Sequence, residues 1–271
     1  MSFWSTYELE VGATYHWKIG LLDLWVECAA GEWRVASLTG REGHDALVRL
    51  DEKTVDVPVV AAEKAGKPDD VPWRRVLAPG AGRTIELMPI MPDRSLVVRP
   101  EEPLIIPPKT RGTFYVSVPV FVSIRTADGP PVVLGEAPTA VLSNTWFGDP
   151  ASGELCYSLP TRARRELGEG RAQPHRAVCP VQLVNASGKD LQFQRLMLQV
   201  GALAVFDGDE QLSTGDVEVT FQTEEQTARV KFGAGASKIP GVTSRLTDAR
   251  TPRKESVLGR GFTTIRSLTG L

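Results

Sequence analysis

Between Phe114 and Arg125 the chain alternates without a break. Phe114, Val116, Val118, Val120, Val122 and Ile124 are apolar, and Tyr115, Ser117, Pro119, Phe121, Ser123 and Arg125 fall between them. A strand sends successive side chains to opposite faces, so this period of two places six apolar residues on one buried face; a helix would scatter them round its circumference. The run predicts one long strand. Pro119 on its minor face marks an edge position or a bulge, because proline cannot donate to a sheet ladder. Leu22, Leu24, Val26 and Cys28 alternate in the same way with Asp23, Trp25 and Glu27, and Ala29 to Glu32 reads as a hairpin connection into a strand from Trp33 to Leu38. Val217, Val219 and Phe221 repeat the pattern, followed by Val230 and Phe232.

The middle of the chain is punctuated by proline. Thr84 to Met88 and Ser95 to Arg99 are short strand candidates separated by Pro89 and Pro92, and Pro103, Pro107 and Pro108 flank Leu104 to Ile106. Further on, Val178 to Val184 and Leu191 to Val200 read as a hairpin across Asn185 to Asp190, and Asp207-Gly208-Asp209 is a tight-turn signal. Many short strands with turns every 8 to 12 residues point to a sandwich or barrel. The expected fold is therefore all-β, a two-sheet antiparallel β-sandwich with little helix. Residues 1–240 form that domain, or two β lobes meeting near 95–110. After Gly241 the composition shifts: Arg245, Arg250, Arg253, Lys254, Arg260 and Arg266 stand against Asp248 and Glu255, which predicts a basic C-terminal tail over 241–271.

The 271 residues can bury a large core without disulfides. A net charge of −2 argues against a globally basic nucleic-acid binder. Three widely spaced cysteines do not make a disulfide framework, and a reducing cytoplasm is the simplest setting. The N-terminus has neither a basic nor a greasy leader region, and no stretch approaches the roughly 20 apolar residues of a membrane helix. The expected location is cytoplasmic, at most peripheral to a membrane.

Candidate chemistry is sparse. Cys156, His175 and Cys179 offer thiolate and imidazole ligands for a metal, but a fourth ligand and a paired C-x-x-C are missing, and the two cysteines read more simply as small buried hydrophobes, so no metal is expected. Only His16, His44 and His175 could serve a nucleophile as base, and no Gly-x-Ser-x-Gly elbow is present. Pro79 to Thr84 lacks the lysine and the helix of a phosphate-binding loop and reads as a turn. Asp207, Asp209 and Glu210 belong to a hairpin tip rather than to a calcium loop. Neither a catalytic residue nor a cofactor is expected. Arginines crowd the loop after Pro160, namely Arg162, Arg164, Arg165, Arg171 and Arg176, and the tail adds Arg250, Arg253, Lys254 and Arg260. Such clusters either stay solvated or grip phosphate and carboxylate through forked hydrogen bonds. Nucleic acid is the weakest partner for them, because the loop lacks interleaved aromatics to stack bases.

The stretch Leu134 to Ser158, with its Phe147-Gly148-Asp149-Pro150 turn and Cys156-Tyr157 strand, resembles the prokaryotic family catalogued as domain of unknown function 432. Val97 to Leu104, the valine-rich strand ending at Ile124, Val181 to Asn185 and Gln194 to Leu198 carry the resemblance over roughly Leu96 to Phe221. The resemblance brings no activity and no catalytic residues. Genes of the family sometimes neighbour a small-conductance mechanosensitive channel, which implies a membrane-channel partner. The leading expectation is a non-enzymatic interaction or regulatory module, open to homo-oligomerisation, with the arginine loop and the tail as contact elements. The second is a small-molecule or carbohydrate binder, or an enzyme, on the same scaffold, with Trp4, Trp17, Trp25, Trp73 and Trp146 available to line a site. A concave pocket lined with convergent polar groups favours the second; a flat or convex surface with one basic patch favours the first.

Overall fold

In the computed structural model of the chain the described residues are 4–40, 59–78, 80, 82–161, 163–167, 173, 175–208, 211–222 and 228–258. The first part gives β1 (Thr6–Glu8), β2 (Thr14–Ile19), β3 (Leu22–Ala29), β4 (Glu32–Thr39), β5 (Val59–Lys64) and β6 (Arg74–Leu77). The middle gives β7 (Thr84–Ile90), β8 (Leu96–Pro100), β9 (Leu104–Ile106), β10 (Thr110–Pro119), β11 (Phe121–Thr126), β12 (Val133–Pro138), β13 (Asn144–Phe147) and β14 (Glu154–Thr161). The last part gives β15 (Arg176–Asn185), β16 (Leu191–Phe193), β17 (Leu196–Leu198), β18 (Val205–Gly208), β19 (Leu212–Thr214), β20 (Val217–Phe221), β21 (Ala228–Phe232), β22 (Val242–Thr247) and β23 (Glu255–Leu258). A 3-10 turn, Val200–Ala202, is the one helical element among the described residues. The all-β class follows directly from the alternation: Leu22, Leu24, Val26 and Cys28 are all buried, and so are Val217, Val219 and Phe221.

The strands fall into five hydrogen-bonded sheets. β5-β2-β3-β4-β6 is five-stranded, β1-β7-β11-β12 and β13-β14-β8-β17 are four-stranded, β16-β9 is a pair, and β10, β15 and β18 to β23 form an eight-stranded sheet. Pairing is mainly antiparallel, but β8 runs parallel to β14, and β15 runs parallel to both β19 and β20. Among the described residues no helix is long and apolar enough to cross a membrane.

The long alternating run is two strands, not one. β10 ends at Pro119 and pairs with β15; β11 begins at Phe121 and pairs with β7 and β12. Pro119 has no N–H to continue the ladder, so the chain changes sheets there. The next residue, Val120, donates its N–H to the carbonyl of His175, 3.0 Å away. Alternation survives the crossing because both sheets feed one core. The expected hairpin after Asn185 also dissolves. β15 pairs with β10, β19 and β20, while β16 pairs with β9. Asn185 anchors this end of β15: its buried amide donates to the carbonyls of Ile106 and Pro107 at the end of β9 and of Lys189 in its own loop, while its side-chain carbonyl accepts the Ser187 N–H. The start of the predicted tail is sheet: β22 pairs with β18, and β23 with β21.

Buried apolar side chains form one contiguous cluster, running from Trp17 and Trp33 through Ile85 and Phe114 to Val217 and Phe232. A satellite of Trp25, Ala36 and Val71 lies apart from it. The five-stranded sheet meets the rest of the molecule at the β2–β3 turn. There the Leu21 N–H donates to the Thr139 carbonyl at 3.2 Å, and the Thr39 hydroxyl to the Pro138 carbonyl at 2.9 Å. Gly20, at φ +63°, lies against the His175 ring so closely that a Cβ there would sit 2.7 Å from its Cδ2.

Candidate functional site

Of the arginines and lysine predicted to contact an anionic partner, Arg162, Arg171 and Arg260 lie outside the described residues. The remainder do not make one surface. Arg176 is buried, and its guanidinium donates to the Ser117 hydroxyl at 2.8 Å and the Ser117 carbonyl at 2.7 Å. It therefore braces the end of the β10–β15 ladder, where it is the residue opposite Pro119, and is no surface contact. Arg250 is committed as well: it donates to the Met91 carbonyl at 2.6 Å and grips Glu136 with two further hydrogen bonds. Arg164 forms a one-residue bridge to Tyr115 on the outer edge of β10. Arg165 is exposed beside it, and Arg253 and Lys254 are exposed at the start of β23. Between those two groups lies the row β10-β15-β20-β21-β23, four inter-strand spacings or roughly 19 Å wide. The arginine loop and the tail thus occupy opposite margins of one sheet.

The metal candidate also comes apart. Cys156 lies in β14 of a four-stranded sheet, Cys179 in β15 of the eight-stranded sheet. Among the described residues no three His, Cys, Asp or Glu side chains are grouped to hold a metal. Burial pushes the thiols of Cys156 and Cys179 up to about 12. His175 is buried, neither ring nitrogen has a hydrogen-bond partner, and desolvation with the neighbouring Arg176 charge brings its pKa down to about 3. Its ring is packing, wedged against Gly20. Trp4, Trp17 and Trp25 are core residues, Trp73 is half-buried under Lys67, and Trp146 is exposed with its indole N–H held by the Asp149 carbonyl.

The feature that sequence reasoning missed lies on the solvent face of the eight-stranded sheet. β15 runs beside β19 with its first half and beside β20 with its second, so the sheet forks at Gly215 and Asp216. The segment 233–241, which joins one branch to the other, folds back over the fork. The Gly233 N–H donates to the Asp216 carbonyl at 2.8 Å. A side chain at Gly215 would collide with the Gly233 carbonyl, so a glycine is required for this close approach. The fork leaves a cleft of about 520 Å³.

One wall of the cleft is a row of residues in register across four strands. Thr113 on β10 faces Gln182 on β15, Gln182 faces Glu218 on β20, and Glu218 faces Lys231 on β21. The row follows from alternation, because Gln182, Glu218 and Lys231 each sit between two core residues, such as Val217 and Val219 or Val230 and Phe232, and Thr113 precedes buried Phe114, so that they point away from the core. Tyr115, Asp216 and Lys238 add a phenol, a second carboxylate and a second ammonium, while Leu167, Ile239 and Pro240 supply apolar surface. None of these seven polar side chains has a hydrogen-bond or ion-pair partner among the described residues. A signal was present in the polar positions of the alternating strands, but it becomes a site only once those strands are known to be neighbours.

A family model described as "Protein of unknown function (DUF432)" matches residues 3–266. No curated protein and no solved structure matches the chain.

Proposed function

Given that the chain belongs to the DUF432 family over nearly its whole length, a family defined without an activity, we propose that it is a binding module whose ligand site is the cleft at the fork of the eight-stranded sheet. The observation that carries this reading is the convergence of seven polar side chains, each with unspent hydrogen-bonding capacity, on one concave surface. The size supports it, since ligand pockets commonly run to roughly 300–1,000 Å³. Binding is better supported than turnover. Of the described histidines, His16 is committed to Asp23 at 2.9 Å and His175 is packed neutral in the core. A single basic docking patch is less well supported, because Arg176 and Arg250 are spent inside the fold and the exposed cations lie at opposite sheet margins.

The test is a thermal-shift screen of small polar molecules on the full chain, repeated on Gln182→Trp, which fills the cleft floor. A ligand of the native protein raises its melting temperature by mass action. The expected result is a compound whose stabilisation disappears in Gln182→Trp. A compound that stabilises both proteins equally binds elsewhere, and the cleft is then not its site.

A further inference from the structure

We infer that the ligand of this cleft is a small zwitterion, a free amino acid or dipeptide carrying one ammonium and one carboxylate; the inference rests on the cleft being the binding site. The lining holds two carboxylates, Asp216 and Glu218, and two ammonium groups, Lys231 and Lys238. Their formal charges cancel, so the cleft as a whole attracts neither polyanions nor polycations. A phosphate entering it meets Asp216 and Glu218, and a polyamine meets Lys231 and Lys238. A dipolar ligand is the charged species that finds a complement at both ends.

The two signs lie on separate chain segments. Asp216 and Glu218 are two residues apart on one chain segment, and Lys231 lies directly across from Glu218 on the next strand. Opposite charges facing each other across a ladder ordinarily attract. Glu218 and Lys231 nevertheless make no ion pair among the described residues. Both remain available to a ligand whose ammonium and carboxylate bridge two strands one inter-strand spacing, ~5 Å, apart. The geometry orients that ligand with its ammonium toward Asp216 and Glu218 and its carboxylate toward Lys231 and Lys238. Thr113 and Gln182 then face its backbone polar groups, and Leu167, Ile239 and Pro240 its side chain. A neutral sugar has less to recommend it. A sugar ring can stack on Tyr115, but it leaves the two carboxylates and two ammonium groups of the lining without a charged complement.

The experiment is calorimetric titration of the full chain with the free amino acids and a Gly-Leu dipeptide at up to millimolar concentration, alongside N-acetylated and carboxamide analogues, glucose and citrate. At least one zwitterion is expected to bind, and N-acetylation or Glu218→Gln to weaken it by about tenfold or more. The two changes together should weaken it no further than N-acetylation alone, because acetylation already deletes the ammonium that Glu218 contacts. The carboxamide and Lys231→Gln should behave as the corresponding pair for the carboxylate. Both variants should melt as the native protein does, so that lost affinity is not lost folding. Failure of every zwitterion to bind overturns the inference, and so do fully additive effects. Binding of glucose or citrate that vanishes in Gln182→Trp, with no zwitterion bound, overturns the inference while leaving the cleft as the site. Zwitterion binding that persists unchanged in Gln182→Trp overturns both.

Discussion

On the five-stranded sheet a polar row crosses four strands, from Thr14 on β2 to Glu27 on β3, Arg34 on β4 and Arg75 on β6. On the eight-stranded sheet a second row crosses four strands, from Thr113 to Gln182, Glu218 and Lys231. The same alternation builds both, yet the first is closed on itself. Thr14 donates to Glu27, Arg34 bonds both Glu27 and Glu32, and Arg75 completes the chain on Glu32. Beside this row Asp23 accepts from His16 and Lys18. The second row makes no such bonds. A polar face that satisfies itself stabilises its sheet and offers little to a ligand, because any newcomer must first displace a good partner. A face that leaves its donors and acceptors to water can exchange that water for a ligand.

The comparison is broken most severely at the joint between the five-stranded sheet and the rest. Gly20→Ala forces a residue with a side chain into φ +63° and drives its Cβ into the His175 ring. A cost of about 3 kcal/mol is expected in chemical denaturation, from left-handed strain plus overpacking. If the two polar faces are independent, ligand affinity of the surviving folded protein stays unchanged.

Acid attacks the same joint. His175 is neutral in the folded protein down to about 3, whereas an unfolded histidine titrates near 6.5. Its contribution is therefore fully present above 6.5 and is lost progressively as pH falls toward 3, since below 6.5 the unfolded chain takes up a proton that the folded one refuses. Between about pH 7 and about pH 5 the native protein should lose about 2 kcal/mol more than His175→Leu. Parallel pH slopes for the two proteins in urea titrations would sink this account.

The strands were largely legible in the sequence, and the sheets were not. Leu22 to Cys28, Phe114 to Ile124 and Val217 to Phe221 declare themselves by period two, and Pro119 signals its own interruption. Which strands meet depends on pairings distant in sequence, such as Val116 with Cys179, and on parallel pairings that no turn residue marks. The cleft inherits that limit, since its row draws single residues from four strands. Basic composition misleads for a related reason. Arg176 looks like its loop neighbours in sequence, but register carries it to Ser117 and into the interior. The β22 strand hid in the tail because Val242 and Leu246 are its only large apolar residues.

A single cut in the closed row should cost less than either change at the joint. Arg34→Ala removes the bonds to Glu27 and Glu32 and is expected to lower stability by roughly 1 kcal/mol, in keeping with a partly exposed ion-pair network. The effect should carry a pH signature. Hydrogen bonds from Arg75, and then from Arg34, hold the Glu32 carboxyl below its ordinary 4.5. Stability from this group is present above 4.5 and is lost as pH falls through the lower folded value. The variant should therefore show a shallower acid limb than the native protein, measured by denaturation at matched ionic strength.

The smallest expected effect on stability sharpens the comparison most. Glu218→Gln and Lys231→Gln remove charges that bond nothing among the described residues, so each should change the free energy of unfolding by no more than about 0.5 kcal/mol. That near-silence is informative only beside Arg34→Ala, which removes a charge of similar exposure from the same kind of four-strand row. If Glu218→Gln destabilised the protein as much as Arg34→Ala does, Glu218 would already be spent within the fold, and the distinction between a closed face and an open one would fail. If it leaves folding untouched while abolishing ligand binding, charge on the second face serves recognition alone, and the two rows divide structure from function along the same chain.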